Sequence, residues 1–387
     1  MVGISTTSLT LVKKNIDLLN GNILTSLTEL ALPIMATSLV QTAYNLTDMA
    51  WIGMVGSDAV AAVGAAAMYT WLSSGVAALA RMGGQVKSAH AYGEGNRREA
   101  VQYGKGALQL ALVLAAAYGI ITNLFAGPLI GFFHLNSSLV VKDAIVYLRI
   151  ACGLILFAFI GQTLTGLYTA SGNSRTPFVA NCIGMGANIV LDPLLIFGLG
   201  PIHGMGVAGA AVATVTAQRV GGQIESISWM TADGFGTAIN AFVGQNYGAG
   251  NLKRVKKGYM TASAIMFIWG IFTTCLLIFG AAPIFSLFIH EPEVIPAGAD
   301  YLRIIGFSEM FMCVELMTVG ALSGMGKTME ASVITIILTT ARIPLAVILG
   351  GTALGLNGIW WALTISSIVK GIIFFGYYLH IMKRMKA

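Results

Sequence analysis

The sequence predicts an all-α integral membrane protein of about 10 transmembrane helices, built as two parallel-repeat helical lobes. Three observations predict it. Of 387 residues, 56% are hydrophobic and 10% charged, whereas a soluble domain carries about 25% charged residues. Apolar runs long enough to cross about 30 Å of hydrocarbon follow one another along the chain. A set of short motifs also recurs in order at a nearly fixed distance.

The predicted spans run 28–52, 59–82, 103–126, 144–169, 177–199, 206–246, 259–281, 301–322, 330–351 and 358–381. Nine have ordinary length, close to the 20 or so residues that a crossing needs. The stretch 206–246 is the exception, because a single helix of that length would be about 60 Å long. The 47 glycines suit close helix contacts within a bilayer.

Orientation follows from Lys and Arg in the short loops. Lys13 and Lys14 precede the first span, Arg97 and Arg98 lie beyond the second, and Lys253, Arg254, Lys256 and Lys257 follow the long stretch. Lys383, Arg384 and Lys386 end the sequence. In all, 16 of the 22 basic residues fall on one side. Both termini are therefore expected to be cytoplasmic, and 206–246 must cross once. No cleavable leader is expected, so the first apolar run reads as a retained span.

Tyr92–Asn96 (YGEGN) returns as Tyr247–Asn251 (YGAGN), and Tyr147–Ile150 returns as Tyr301–Ile304 (YLRI). Ser171–Thr176 (SGNSRT) returns as Ser323–Thr328 (SGMGKT), so the offsets are 155, 154 and 152. Parallel repeats of this kind occur in secondary transporters. The boundary falls near Val215, giving lobes of residues 1–214 and 215–387. Nothing in the second half matches residues 1 to about 59, so its first helix is missing and 206–246 reads as a fusion of two elements.

Candidate chemistry sits in carboxylates at membrane depth, which are costly and ordinarily face a cavity or a partner. Asp48 lies four residues after Tyr44, and Asp192 four after Asn188 and eleven after Asn181, each set on one helical face. Pro193 frees the carbonyl of Ile189 from its helical N–H. Two carboxylates, amide oxygens and a phenol suit a site that loads sodium or a proton. In the second half Glu225, Glu309 and Glu315 form a possible acidic patch for substrate, with ion pairing to Arg303 or Arg342 as the other reading.

Other signals carry little chemistry. Cys152, Cys182, Cys275 and Cys313 lie in apolar stretches without metal-ligand spacing, and the five histidines are scattered singly. Gly324–Thr328 has the end of a phosphate loop, but Ala321 stands where its first glycine belongs. No nucleophile, base or metal cluster suggests an enzyme, and the basic run LKRVKK reads as a cytoplasmic anchor rather than a nucleic-acid site. Trp51, Trp360 and Trp361 are expected in the interfacial belt.

The stretches LPIMATSLVQTAYNLTDMAWIG, NIVLDPLLIFG with GMGVAGAAVAT, and QIESISWMTADGFGTAINAFVGQNYGAGN, together with the repeat, resemble the multidrug and toxic compound extrusion (MATE) family. The resemblance covers almost the whole chain, and the missing seventh helix is the departure from it. It implies two six-helix lobes around a central cavity and exchange of a cytosolic organic cation for sodium or protons. It places Tyr44, Asp48, Asn188 and Asp192 at the amino-terminal cation site of the DinF-like branch, with Thr214 a contributor. Asn181, Glu225 and Glu315 would then contact substrate. No cofactor beyond the coupling ion, no nucleic acid and a monomer in a bacterial inner membrane are the accompanying expectations. Two further readings stay open: a truncated, transport-inactive membrane protein, and a flippase for lipid-linked precursors.

Overall fold

The computed structural model describes residues 16–55, 57–135, 137–184, 186, 213–286 and 295–385, leaving aside the side chains of 41–61 and 213–227. All regular structure among them is helical. The first repeat contains α1 (Ile23–Val55), α2 (Ser57–Gly93), α3 (Arg97–Leu124), α4 (Ala126–Gly131), α5 (Ser138–Gly153) and α6 (Ile155–Ala170). The helix α7, residues 175–184, begins the fifth expected span. The second contains α8 (Ala213–Gly248), α9 (Leu252–Phe279), α10 (Ala281–Ser286), α11 (Ile295–Gly306), α12 (Glu309–Gly324), α13 (Thr328–Thr340), α14 (Arg342–Gly350) and α15 (Leu356–Arg384).

The recurring motifs are the helix ends. Gly95, Gly250, Gly172 and Gly326 all have φ between 71° and 81°, a left-handed conformation in which a side chain is strained. At each one the following residue's N–H reaches back five residues: Asn96 to Ala91, Asn251 to Asn246, Asn173 to Tyr168 and Lys327 to Leu322. This is the Schellman ending, which satisfies carbonyls that a helix terminus would leave bare. Asn96 and Asn251 then start the next helix, accepting from the N–H of Glu99 and Arg254. YGxGN is thus a stop and a start in five residues.

Two expected spans are broken rather than straight. The α5–α6 pair bends by 45° and the α11–α12 pair by 50°. Both breaks follow the repeated YLRI, at Gly153 and Gly306, where glycine weakens a helix interior. Five single helices, α13 and α14 taken together, and these two bent pairs are long and apolar enough to cross a bilayer among the described residues, while α8 is not one of them. Its polar content is tolerated because α1, α2, α6, α9, α11 and α12 all pack around it. The outer surface carries large apolar side chains such as Phe279, Phe132 and Val347, each more than 70% exposed, as a lipid-facing surface requires.

The length of α8 has an internal reason. Its 36 residues match the 37 of its repeat partner α2, so a long helix is the normal element at this place and both run past the hydrocarbon. The expected surplus from a fusion is therefore not a surplus. Two of the tryptophans have aromatic partners: Trp360 is buried against Tyr301, ring edge to face at 5.4 Å, and Trp361 stacks on Phe307 at 5.8 Å, while the side chain of Trp51 is outside the described set. Those aromatic partners lie beside the α11–α12 bend and pull the pair inward.

Candidate functional site

The two repeats meet along α2 and α8, and small residues set how closely. A Cβ on Gly93 would lie 2.0 Å from the Gln245 carbonyl oxygen, and one on Gly248 would lie 2.4 Å from that of His90. Backbone therefore touches backbone, twice, in matching positions. On either side of the crossing a side chain caps a helix of the opposite repeat. His90 Nε2 lies 2.7 Å from the carbonyl oxygen of Gly324, at the end of α12. Gln245, the repeat equivalent of His90, donates through Nε2 to the carbonyl of Ala170 at the end of α6, at 2.6 Å. One layer further along, Gln85 Nε2 donates to the carbonyl of Thr237 at 3.1 Å.

The segment before α1 closes the same face. The N–H of Ile16 donates to the carbonyl of Gly172. The carbonyl of Leu18 accepts from Asn246 Nδ2 and Arg254 Nε, both at 2.9 Å, and the Leu18 side chain is fully buried. A few residues thereby tie a loop of the first repeat to two helices of the second. Asp17 is held in its charged form by the backbone N–H of Asn20 and, to a smaller extent, of Leu19. Its carboxyl titrates below the usual value.

The residues expected to bind the coupling cation fall on the least described part of the chain. Tyr44 and Asp48 lie on α1 and Thr214 on α8, but their side chains are outside the described set. Asn188 and Asp192 lie outside the described residues altogether. Of the three residues expected to touch substrate, Asn181 is half-buried on α7, and Glu225 lies on α8 with its side chain outside the described set.

Glu315 is the third, and it is fully placed. Its Oε1 accepts from Lys370 Nζ at 2.7 Å, across α12 and α15, with side-chain exposures of 5% and 8%. Of the ion pairs among the described residues this is the buried one, since Arg303–Asp300 and Lys327–Glu330 are both substantially exposed. Arg342, which the sequence offered as a partner, instead donates to the hydroxyls of Ser366 and Ser367 at 3.0 and 2.8 Å. Glu315 is therefore neutralised in place, and Lys370 is the residue that sequence reasoning passed over. Its signal was present: a lone lysine inside an apolar span demands an internal partner. Among the described residues no group of three or more His, Cys, Asp or Glu is arranged to hold a metal ion.

The MatE family model matches the chain twice, over residues 33–194 and 197–348. The chain belongs to the MatE family. The two MatE matches correspond to the two repeats seen in the helix ends. Among curated relatives, the probable multidrug resistance protein NorM of Thermotoga maritima is 25% identical over 410 aligned positions, taking in 86% of this chain and 87% of that protein. An FAD transporter of Shewanella oneidensis is 22% identical over 420 positions, covering 89% and 92%. Both alignments are longer than the 387-residue chain, so positions of these MatE relatives have no residue opposite them. A crystal structure of a MATE protein in complex with MaL6 superposes with a TM-score of 0.84 at 20% identity, covering 96% of this chain and all of that one. A MATE transporter described in its outward-facing conformation gives 0.80 at 19% identity. These two likenesses establish the fold.

Proposed function

We propose that this MatE chain is built as a cation-coupled antiporter, exporting amphipathic organic cations in exchange for sodium or protons by alternating access of its two repeats. The observation that carries this reading is the double family match on two structurally matching repeats, supported by relatives named for multidrug resistance. The coupling ion would load at Tyr44, Asp48, Asn188 and Asp192, with Thr214 beside them, where carboxylates at membrane depth need a counter-charge. The test is dye efflux from a pump-deficient bacterial host under an imposed sodium or pH gradient. Efflux that follows neither gradient would remove the coupling.

A second reading is favoured by a specific observation, the relatives' positions left without a counterpart. A chain lacking the first helix of its second repeat lacks a wall of that lobe. In keeping with this, the 328–350 span has no buried residue in its most apolar window and packs chiefly on α15. In this reading the chain inserts and folds but transports poorly. Restoring the missing residues from a close relative separates the two readings, because only the second predicts a gain.

A further inference from the structure

The segment before α1 borders a cavity of about 280 Å³. Its walls include Ile16 and Asp17 of that segment, Thr25, Ser26 and Glu29 of α1, and Arg175 at the start of α7. The apolar span of α1 begins at Ile23, and Arg175 opens the fifth expected span. The cavity therefore lies where helices enter the bilayer, on the side of the basic loops.

Two of its charges are uncommitted. Asp17 is engaged, since its Oδ1 accepts from the N–H groups of Leu19 and Asn20 and its Oδ2 from Asn20 Nδ2. Glu29 and Arg175 are both exposed, and neither has an ion-pair partner among the described residues. They line one cavity without meeting each other. Opposite charges held apart in this way match a zwitterion whose own charges are separated. Arginine meets phosphate through parallel N–H donors, and a carboxylate with free oxygens accepts from an ammonium. The start of α1 does not compete for the anion, because Asn22 Oδ1 already accepts from the N–H groups of Leu24 and Thr25.

The surface that continues from each charge identifies the zwitterion as part of a lipid. Residues three or four apart share a helical face. On α7, Val179 and Ile183 follow Arg175 at steps of four and are 49% and 69% exposed. On α1, Leu32 follows Glu29 by three and is 67% exposed. Both helices run from the cavity into the bilayer, so apolar surface lies below each charged wall. A soluble zwitterion would use the cavity alone, whereas a phospholipid uses the cavity and both ridges.

We propose that this cavity binds the headgroup of a phospholipid with a primary ammonium, a phosphatidylethanolamine in class. Arg175 takes the phosphate, Glu29 the ammonium, and Val179, Ile183 and Leu32 the acyl chains. A choline head has no N–H to give Glu29, and a glycerol head brings no cation. Because Ile16 and Asp17 form one wall, the lipid also braces the segment that ties Gly172 to Asn246 and Arg254.

The experiment is native mass spectrometry of the purified chain, titrated separately with dioleoyl phosphatidylethanolamine, phosphatidylcholine and phosphatidylglycerol. The first should be retained about fivefold more tightly than either of the others. Glu29→Gln should bring phosphatidylethanolamine and phosphatidylcholine to equal affinity, Arg175→Gln should weaken both, and Arg175→Lys should keep part of the binding. Glu29 and Arg175 are exposed and unpaired, so the variants should unfold at the temperature of the unmodified chain. Equal retention of the three lipids by the unmodified chain overturns the proposal, as does an undiminished preference in both glutamine variants. Competition by soluble glycerophosphoethanolamine at the affinity of the lipid would overturn the assignment to a lipid. A preference that appears only after removal of residues 1–14 would give the cavity to that segment and overturn the proposal as well.

Discussion

Lys370 and Glu315 show at the scale of single residues how a membrane interior handles charge. Removing one partner of a buried pair leaves the other uncompensated, at a cost of about 3–5 kcal/mol, whereas replacing both by apolar groups is often neutral. Lys370→Met and Glu315→Leu should each lower thermal stability clearly, and the double variant should recover most of it. Additive losses in the double variant, read by thermal unfolding in detergent, would show that the pair is not coupled. For the cation site, Asp48→Asn and Asp192→Asn are each expected to cut ion-driven efflux on the order of ten- to hundredfold with membrane abundance unchanged. Both keep the shape and lose the titratable charge. They are to be compared in a version carrying the restored residues; unmodified efflux from both variants would exclude this site.

Asp17 gives a pH dependence with a definite sign. Its folded pKa lies below the ordinary value of about 3.9 because the N–H groups of Asn20 and Leu19 favour the carboxylate. The stabilisation is therefore full above that value and fades as pH falls through the lower, folded pKa. Amide exchange at Leu19 and Asn20 should rise with acidification below about pH 4 relative to neighbouring amides, and Asp17→Asn should abolish the difference.

Among the elements, α2 and α8 decide how the halves meet. Gly93 and Gly248 lie within 2.4 Å of opposing carbonyls at the Cβ position, so Gly93→Val must push the helices apart, costing about 1–3 kcal/mol as overpacking does. The measurable result is a longer distance between spin labels on α2 and α8 near the crossing. No change in that distance would mean that the contact is not close in the membrane. The Schellman glycines behave differently, since their demand is conformational. This part of the fold was legible in YGxGN, which repeats because glycine and asparagine are what that turn requires, whereas the left-handed glycines of the other pair, Gly172 and Gly326, hold different places within SGNSRT and SGMGKT. The two bends were not, because a glycine inside an apolar run reads as helix until its neighbours, such as Trp360 on Tyr301, fix the direction of the chain.

For the whole molecule, ten crossings with both ends on the basic-loop side remain the expectation from charge parity. Cysteine labelling in intact cells checks it: a thiol placed between Asn246 and Lys257 should be reached only after the membrane is permeabilised. The chain as it stands should export dye weakly compared with one carrying the restored residues, at matched membrane abundance. This prediction follows from the proposal that the second repeat lacks its first helix, and not from α8, which has the length of α2. Equal, ion-dependent efflux from both would show that the missing wall is dispensable.

The sequence by itself determined the membrane environment, the helical class, the repeat and the acids worth suspecting, because hydropathy, loop charge and turn residues are properties of local stretches. Only the tertiary structure decided which charges are satisfied and which are open. Glu315 and Lys370 are 55 positions apart, and Arg342 meets Ser366 and Ser367 in place of an acid. Whether a carboxylate meets an ammonium, lipid or a cleft depends on helices brought together from distant parts of the chain. That information is carried by packing and is absent from any single segment.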